Sequence, residues 1–469
     1  MTVLSVIILF IIGTIPILFA AVQPWVWSFY SLCMMASFIL FLWQQKINSK
    51  FMASSPFVNL MVGLFFFVTL FLCLPLPNAV ISLLSPIRYE TVSTAWDLNS
   101  AAHKWQALSY SALNAFTWWT FQLSLSLFFF VVRYLCTDKK TLTIVLAVMI
   151  SLGLIEAVYG VIQALVPSTG VLWVDYFNEH MGYASGTFIN RNHFAGFIEM
   201  TWPLILGLTM AMKDRGHSLK RALASDMLNR QALMALGIVV LLLSLLLSRS
   251  RAGITGGLVG LMTFWYMARP NIRRIALQTR LLLGAIVVVL CVYCVTIGVE
   301  PIFERFLSIG DGKSRIDIWR DSLSILKDHP WGIGLHNFET VFQVYNSSFF
   351  SDKTVIYAHN DYLQLLIETG WIGFFILIGG FVFFTGKSFR LIRRFDAKAD
   401  PKRFFLAVGA FSGIISLAFH SFFDFNLQIP ANSLYFVTLI AILSACTEKN
   451  KRSPHLANTP MKKTLLTDK

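Results

Sequence analysis

The sequence predicts an all-α polytopic integral membrane protein with about 12 transmembrane helices. Three observations predict it. Of 469 residues, 56% are hydrophobic and 13% charged, against a charged share of roughly 25% in soluble domains. Apolar runs of bilayer-spanning length recur along the chain. Basic residues collect in alternate connecting segments, as the positive-inside rule requires.

The first apolar run, Val3 to Ala21, has the length of a signal peptide but no basic flank, and many spans follow it. It therefore reads as a first helix over 3–22. Further spans fall near 25–43, 56–75, 115–135, 141–166, 194–212, 232–248, 252–268, 281–299, 365–386, 404–422 and 432–447. An even count puts both termini on one side. With that side cytoplasmic, the inner segments hold 27 of the 38 Lys and Arg. The net charge of +14 is thereby accounted for without nucleic acid.

The chain divides into N-terminal transmembrane helices (1–145), a transmembrane core (146–446) that includes an outward loop (300–362), and a basic cytoplasmic tail (447–469). The tail is polar and expected to be disordered. Six cysteines lie in or beside apolar spans, and the Cys291/Cys294 pair has no second ligand pair nearby. They read as packing residues, with no metal site and no cofactor motif.

The outward segments carry the chemistry. The first, Pro77 to about Asn114, holds Trp96 and Trp105 and leads to Trp118 and Trp119, suited to an interfacial belt. The second ends in Asn190, Arg191, Asn192 and His193, just before an apolar span. A helix start already favours an anion, and Arg191 sharpens that preference. A capped helix end with a snorkelling arginine is the plainer alternative.

The third is the turn Ser248-Arg-Ser-Arg251, pressed between two apolar runs. Arginine at such depth costs roughly 2.5–3.5 kcal/mol if it faces lipid, and persists where it faces a polar cavity or an anion. Headgroup binding by two snorkelling arginines is the alternative.

The fourth is the loop between spans nine and ten. Ile316, Trp319, Leu323 and Leu326 stand at helical spacing along 315–328, which predicts an amphipathic helix on the membrane surface. Pro330, Gly332 and Gly334 break it, and a short helix follows over Phe338 to Tyr345. His359, Asn360 and Asp361 then stand where the tenth span enters the membrane. A histidine there can act as general base or bind an oxyanion. A last outward turn adds His420, Asp424 and Asn426, with capping as the alternative role. The carboxylates Asp361, Glu368 and Asp424 show no pairing along the chain.

Basic groups at membrane depth, one or two histidines and no metal-ligand spacing suit a lipid-linked diphosphate. Arginine forks hold its oxygens and neutralise the departing charge. An activated lipid-diphosphate sugar carries its own driving force where no nucleotide is present.

The order of these motifs resembles the O-antigen ligase and polymerase superfamily of bacterial envelope enzymes. The matching stretches are Gly186 to His193, Ser248 to Gly253, Arg315 with Trp319, Gly332 to Phe338, His359 to Leu363 with Gly370, and His420 to Asn432. They span about Leu146 to Ala445. The resemblance implies a metal-independent glycosyltransferase of the bacterial inner membrane. It implies a glycan moved from undecaprenyl diphosphate to an acceptor hydroxyl at the periplasmic face, and no cofactor.

It also implies that two arginines, one of Arg249 and Arg251 together with Arg315, bind diphosphate. His359 would activate the acceptor. Arg191 and His336 are further candidates, and Asn190, His193, Asn360, Asp361, His420 and Asp424 would support the site. The acceptor would be lipid A–core for a ligase, or a second lipid-linked glycan for an O-antigen or exopolysaccharide polymerase. A small-anion transporter is the rival class, kept open by Glu156 and Glu199 within spans.

Overall fold

The computed structural model describes residues 2–45, 56–98, 104–172, 182–212, 226–272, 284, 310–347 and 354–447. Fifteen helices run through them: α1 Val3–Thr14, α2 Pro24–Gln45, α3 Pro56–Cys73, α4 Asn78–Leu84, α5 Pro86–Leu98, α6 Ala112–Leu135, α7 Lys139–Leu165, α8 Arg191–Ala211, α9 Asp226–Leu247, α10 Arg251–Ile272, α11 Gly310–Asp328, α12 Phe338–Tyr345, α13 Asp361–Arg393, α14 Pro401–His420 and α15 Pro430–Thr447. Two-residue strands, β1 Leu76–Pro77 and β2 Trp105–Gln106, pair antiparallel. Among the described residues, nine helices are long and apolar enough to cross a membrane. The chain is an all-α, multi-pass membrane protein. The ninth predicted span (281–299), with Cys291 and Cys294, lies outside the described residues apart from residue 284, and the tail beyond Thr447 lies outside them altogether.

Three helices form the centre. The shares buried are 89% for α8, 78% for α14 and 83% for α15, against 17–44% for the other candidate spans. α14 packs along α8 most closely. Gly207 of α8 lies against the Phe405 carbonyl, and Gly409 of α14 against the Pro203 carbonyl; an added Cβ at either would stand 2.4 Å from that oxygen. Small residues on both helices bring the two backbones together, which dispersion then stabilises in lipid. The surrounding helices α2, α3, α7, α9 and α13 keep apolar faces outward, with Ile39, Phe67, Ile155, Leu233 and Phe375 more than half exposed.

Three expectations need correction. The first span is shorter than 3–22, because α1 stops at Thr14. Pro16 follows, and proline and the residue before it both disfavour helix. Phe19, Ala20 and Ala21 then take left-handed backbone. Trp118 is not part of an interfacial belt. It is 3% exposed and packs on Trp27 and His336.

The amphipathic helix α11 has two apolar faces. Ile318, Ile325 and Leu326 are buried with Phe338, Val341 and Phe342 of α12. Ile316 and Leu323, expected on one face with Leu326, are each 54% exposed. Docking of α12 took the other face. The same docking draws Asp321 inward, where its carboxylate accepts from the Ser347 N–H at 2.9 Å and the Ser347 hydroxyl at 2.7 Å.

Candidate functional site

The turn from α14 into α15 places one carboxylate, Asp424, among several of the candidate residues. The turn is closed by Phe423 N–H to His420 O at 2.8 Å. Asp424 has no exposed side-chain surface. Its Oδ1 accepts from the Phe425 N–H at 2.9 Å. Its Oδ2 accepts from Asn192 Nδ2 at 2.6 Å. Arg315 brings a guanidinium nitrogen within 3.5 Å of Oδ2 and donates to the Phe423 carbonyl at 2.5 Å. His359 Nδ1 lies 3.4 Å from Oδ1, and His193 Nε2 lies 3.9 Å from it. The two imidazoles stand in ion-pair range rather than in aligned hydrogen bonds, since neither nitrogen has a bonded partner.

Burial by itself would raise the Asp424 pKa. The facing His359 imidazole, the Arg315 guanidinium and His193 more than offset this, and hold the carboxyl well below its ordinary 3.8. A charged carboxylate in this position favours a proton on the facing Nδ1 of a neutral His359 over one on Nε2.

Each partner is aimed by its own element. Asn360 caps α13, its Oδ1 accepting from the N–H groups of Tyr362 and Leu363 at 3.0 Å each. Asp361 ties that helix start to the turn. Its N–H reaches the carbonyls of Ser421 and Asp424 at 2.9 and 3.2 Å, and its Oδ2 accepts from Leu427 N–H at 3.0 Å. His359, just before, is held in left-handed backbone at φ 51°. Such strain in a non-glycine residue persists where the surroundings over-determine it, as at functional sites. Ala358 is pinned by Trp319 Nε1 at 2.9 Å and by Gln364 Oε1 at 3.1 Å.

Asp361 and Asp424, unpaired along the sequence, thus share one turn. Glu368 stands elsewhere, accepting from Gln364 Nε2 at 3.0 Å.

Arg191 and Arg249 gather on a second feature. Asn190 caps α8, accepting from Asn192 N–H at 2.8 Å, which makes Arg191 the first helical residue. Ser250 caps α10, accepting from Gly253 N–H at 3.2 Å, with Arg251 first in that helix. The preceding Arg249 takes left-handed backbone at φ 51°. The guanidinium groups of Arg191 and Arg249 stack on one ring, Tyr183, at 4.2 and 4.8 Å from its centroid. The first turn of α8 joins the two features: Arg191 faces Tyr183, while Asn192 and His193 face Asp424.

Two candidates stand apart from the Asp424 contacts. His336, at φ 57°, stacks on Trp118 with centroids 4.7 Å apart, and burial lowers its pKa. His420 points into the helix core, with Nδ1 2.6 Å from Glu199 Oε1, and Ser416 donates to the other Glu199 oxygen at 2.7 Å. Glu156 is likewise engaged by the Thr187 N–H and hydroxyl, each at 2.8 Å. Both carboxylates that kept transport open therefore have fixed internal partners.

Sequence reasoning missed Asn192, Tyr183 and Phe425. Asn192 lay within a polar run already noted. Phe425 wedges its ring edge-on between His193 and His359, at 4.5 and 4.9 Å, and nothing in its local sequence marks it. Among the described residues, no three His, Cys, Asp or Glu side chains converge to hold a metal ion.

Residues 236–378 match the family model described as O-antigen ligase. The match covers just under a third of the chain. It takes in the Ser248–Arg251 turn, Arg315, His336 and the His359–Asp361 helix start, and it supports the O-antigen ligase and polymerase superfamily. A comparison with curated proteins returns no match.

Proposed function

We propose that this chain, whose residues 236–378 match the O-antigen ligase family model, is a membrane glycosyltransferase that moves a glycan from undecaprenyl diphosphate to an acceptor hydroxyl, in the manner of a ligase. The observation that carries this reading is the convergence of Arg315 and His359 on the two oxygens of Asp424, at 3.5 and 3.4 Å. An arginine to neutralise a leaving diphosphate and a histidine to receive a proton are what such a transfer needs.

In the proposed step, Nε2 of His359 takes the acceptor hydroxyl proton as that oxygen attacks the anomeric carbon. The bond from this carbon to the diphosphate oxygen breaks, and the electron pair leaves with the diphosphate. Arg315, the Arg191 and Arg249 pair on Tyr183 and the adjacent Arg251 offset the charge that develops there. Asp424 stays ionised throughout, orienting His359 and stabilising its imidazolium. The transfer faces the periplasm, with both termini in the cytoplasm.

A polymerase would use the same step with a second lipid-linked glycan as acceptor. Reconstitution of the purified protein with undecaprenyl-diphosphate glycan, offered lipid A–core and a second lipid-linked glycan in parallel, decides between them. Arg315→Ala and His359→Ala should each abolish product at normal protein level. Unchanged product in both variants would defeat the reading.

A further inference from the structure

The early end of α1 leaves a gap beside α7. Ile17 stands on one side of it, Leu154, Val158 and Ile162 on the other, with Leu172 and Thr187 behind, and the groove has a volume of about 670 Å³. Leu154 to Ile162 is a stripe nine residues long, or about 12 Å along the helix. Val158 and Ile162 are 47% and 44% exposed, so the groove opens toward lipid. Its polar groups are spent internally: Thr187 on Glu156 and on the Pro16 carbonyl at 2.9 Å, and the Tyr159 hydroxyl on Leu172 N–H at 2.8 Å.

The wall behind this groove also holds the arginine platform. Gln163 of α7 donates to the Gly186 carbonyl at 2.9 Å and accepts from Ser185 N–H at 3.2 Å. That clamp fixes the segment 183–187, with Thr187 lining the groove at one end and Tyr183 under Arg191 and Arg249 at the other. A ligand that fits both ends is anionic at its head and carries one linear apolar chain. The stripe is one helix face wide, which suits a single chain rather than two.

We infer that this groove takes the polyisoprenyl chain of a lipid-linked diphosphate whose head lies against Arg191 and Arg249. The inference rests on the donor reading above. Only the chain, not the head, senses Val158 and Ile162.

The test uses the full-length protein in lipid nanodiscs with undecaprenyl diphosphate, geranyl diphosphate and inorganic diphosphate. Val158→Trp and Ile162→Trp should weaken undecaprenyl diphosphate binding about tenfold and leave the other two ligands unchanged. Equal loss for all three, or no loss at all, overturns the inference. In a second measurement, a photoreactive residue at Val158 should capture the undecaprenyl chain, and excess undecaprenyl diphosphate should compete it away. Capture of bulk phospholipid unaffected by that competition also overturns it. Arg191→Ala combined with Arg249→Ala tests the head separately: unchanged inorganic diphosphate binding would sink the headgroup assignment, while the tryptophan variants still judge the groove.

Discussion

Nδ1 of His359 lies 3.4 Å from Oδ1 of Asp424, a half-buried imidazole backed by a carboxylate with no exposed surface. The carboxylate can fix the ring's tautomer and stabilise its cation without competing for substrate. Asp424→Asn keeps the shape and removes the charge. Turnover should fall roughly a hundred- to ten-thousand-fold, with donor affinity much less affected. Single-turnover rates beside donor titrations check this, and a pure affinity loss would contradict the orienting role.

The same carboxylate sets an acid tolerance. Its folded pKa lies below the ordinary 3.8, so its stabilising contribution is complete above that value and fades only as pH falls through the lower, folded one. Activity lost between pH 7 and 5 should therefore not arise from Asp424. A pH–rate profile whose loss between pH 7 and 5 disappears in Asp424→Asn would count against this.

Tyr183 supports two guanidinium groups at once. Tyr183→Phe keeps the ring face and should bind donor like the native chain. Tyr183→Ala removes a stacking contact worth about 0.5–2 kcal/mol and should raise the donor KM several-fold with little change in kcat. Equal kinetics for both variants would show that the platform is idle.

His329 reports on the packing of Ser85 and Tyr110 against the end of α11. Its Nδ1 meets the Ser85 hydroxyl, and its Nε2 meets the hydroxyls of Tyr110 and Tyr345, all at 3.2 Å. Burial lowers its pKa from 6.5 to about 4, against the opposing pull of Asp328. Between those values the unfolded chain binds a proton that the folded chain does not, so stability should rise with pH across that window. Melting curves in detergent from pH 4 to 7 measure it, and His329→Gln should flatten the slope.

Gly370 interrupts α13 at φ 63° and ψ −176°, a conformation essentially reserved for glycine. An added Cβ would stand 2.4 Å from the Trp331 carbonyl carbon and 2.5 Å from the Pro330 oxygen. Gly370→Ala should cost several kcal/mol through strain and overpacking together, and folded yield should drop sharply. Normal yield and melting temperature would mean that the loop can move aside.

Much of the fold was legible because hydropathy and capping are local. The bounds of α12, Phe338 to Tyr345, and the helix starts near Arg191, Arg251 and Asp361 were all readable from apolar runs and their polar edges. The faces of α11 were not. Ile316, Ile318, Leu323 and Ile325 are all apolar, and only the docking of α12 selects which of them are buried. The end of α1 was missed because the apolar run continues past Pro16, so hydropathy masked the break.

The chain's own order of residues determined a multi-pass helical protein with arginines and histidines at helix ends, since insertion into lipid depends on each segment's composition. The tertiary structure alone decided that His193, Arg315, His359 and Asn192 meet around Asp424. Those residues come from three separate segments, the farthest 232 positions from Asp424. Their meeting follows from the close backbone packing of α8 with α14 and from the turn that Asp361 pins, and no property read along a single segment contains it.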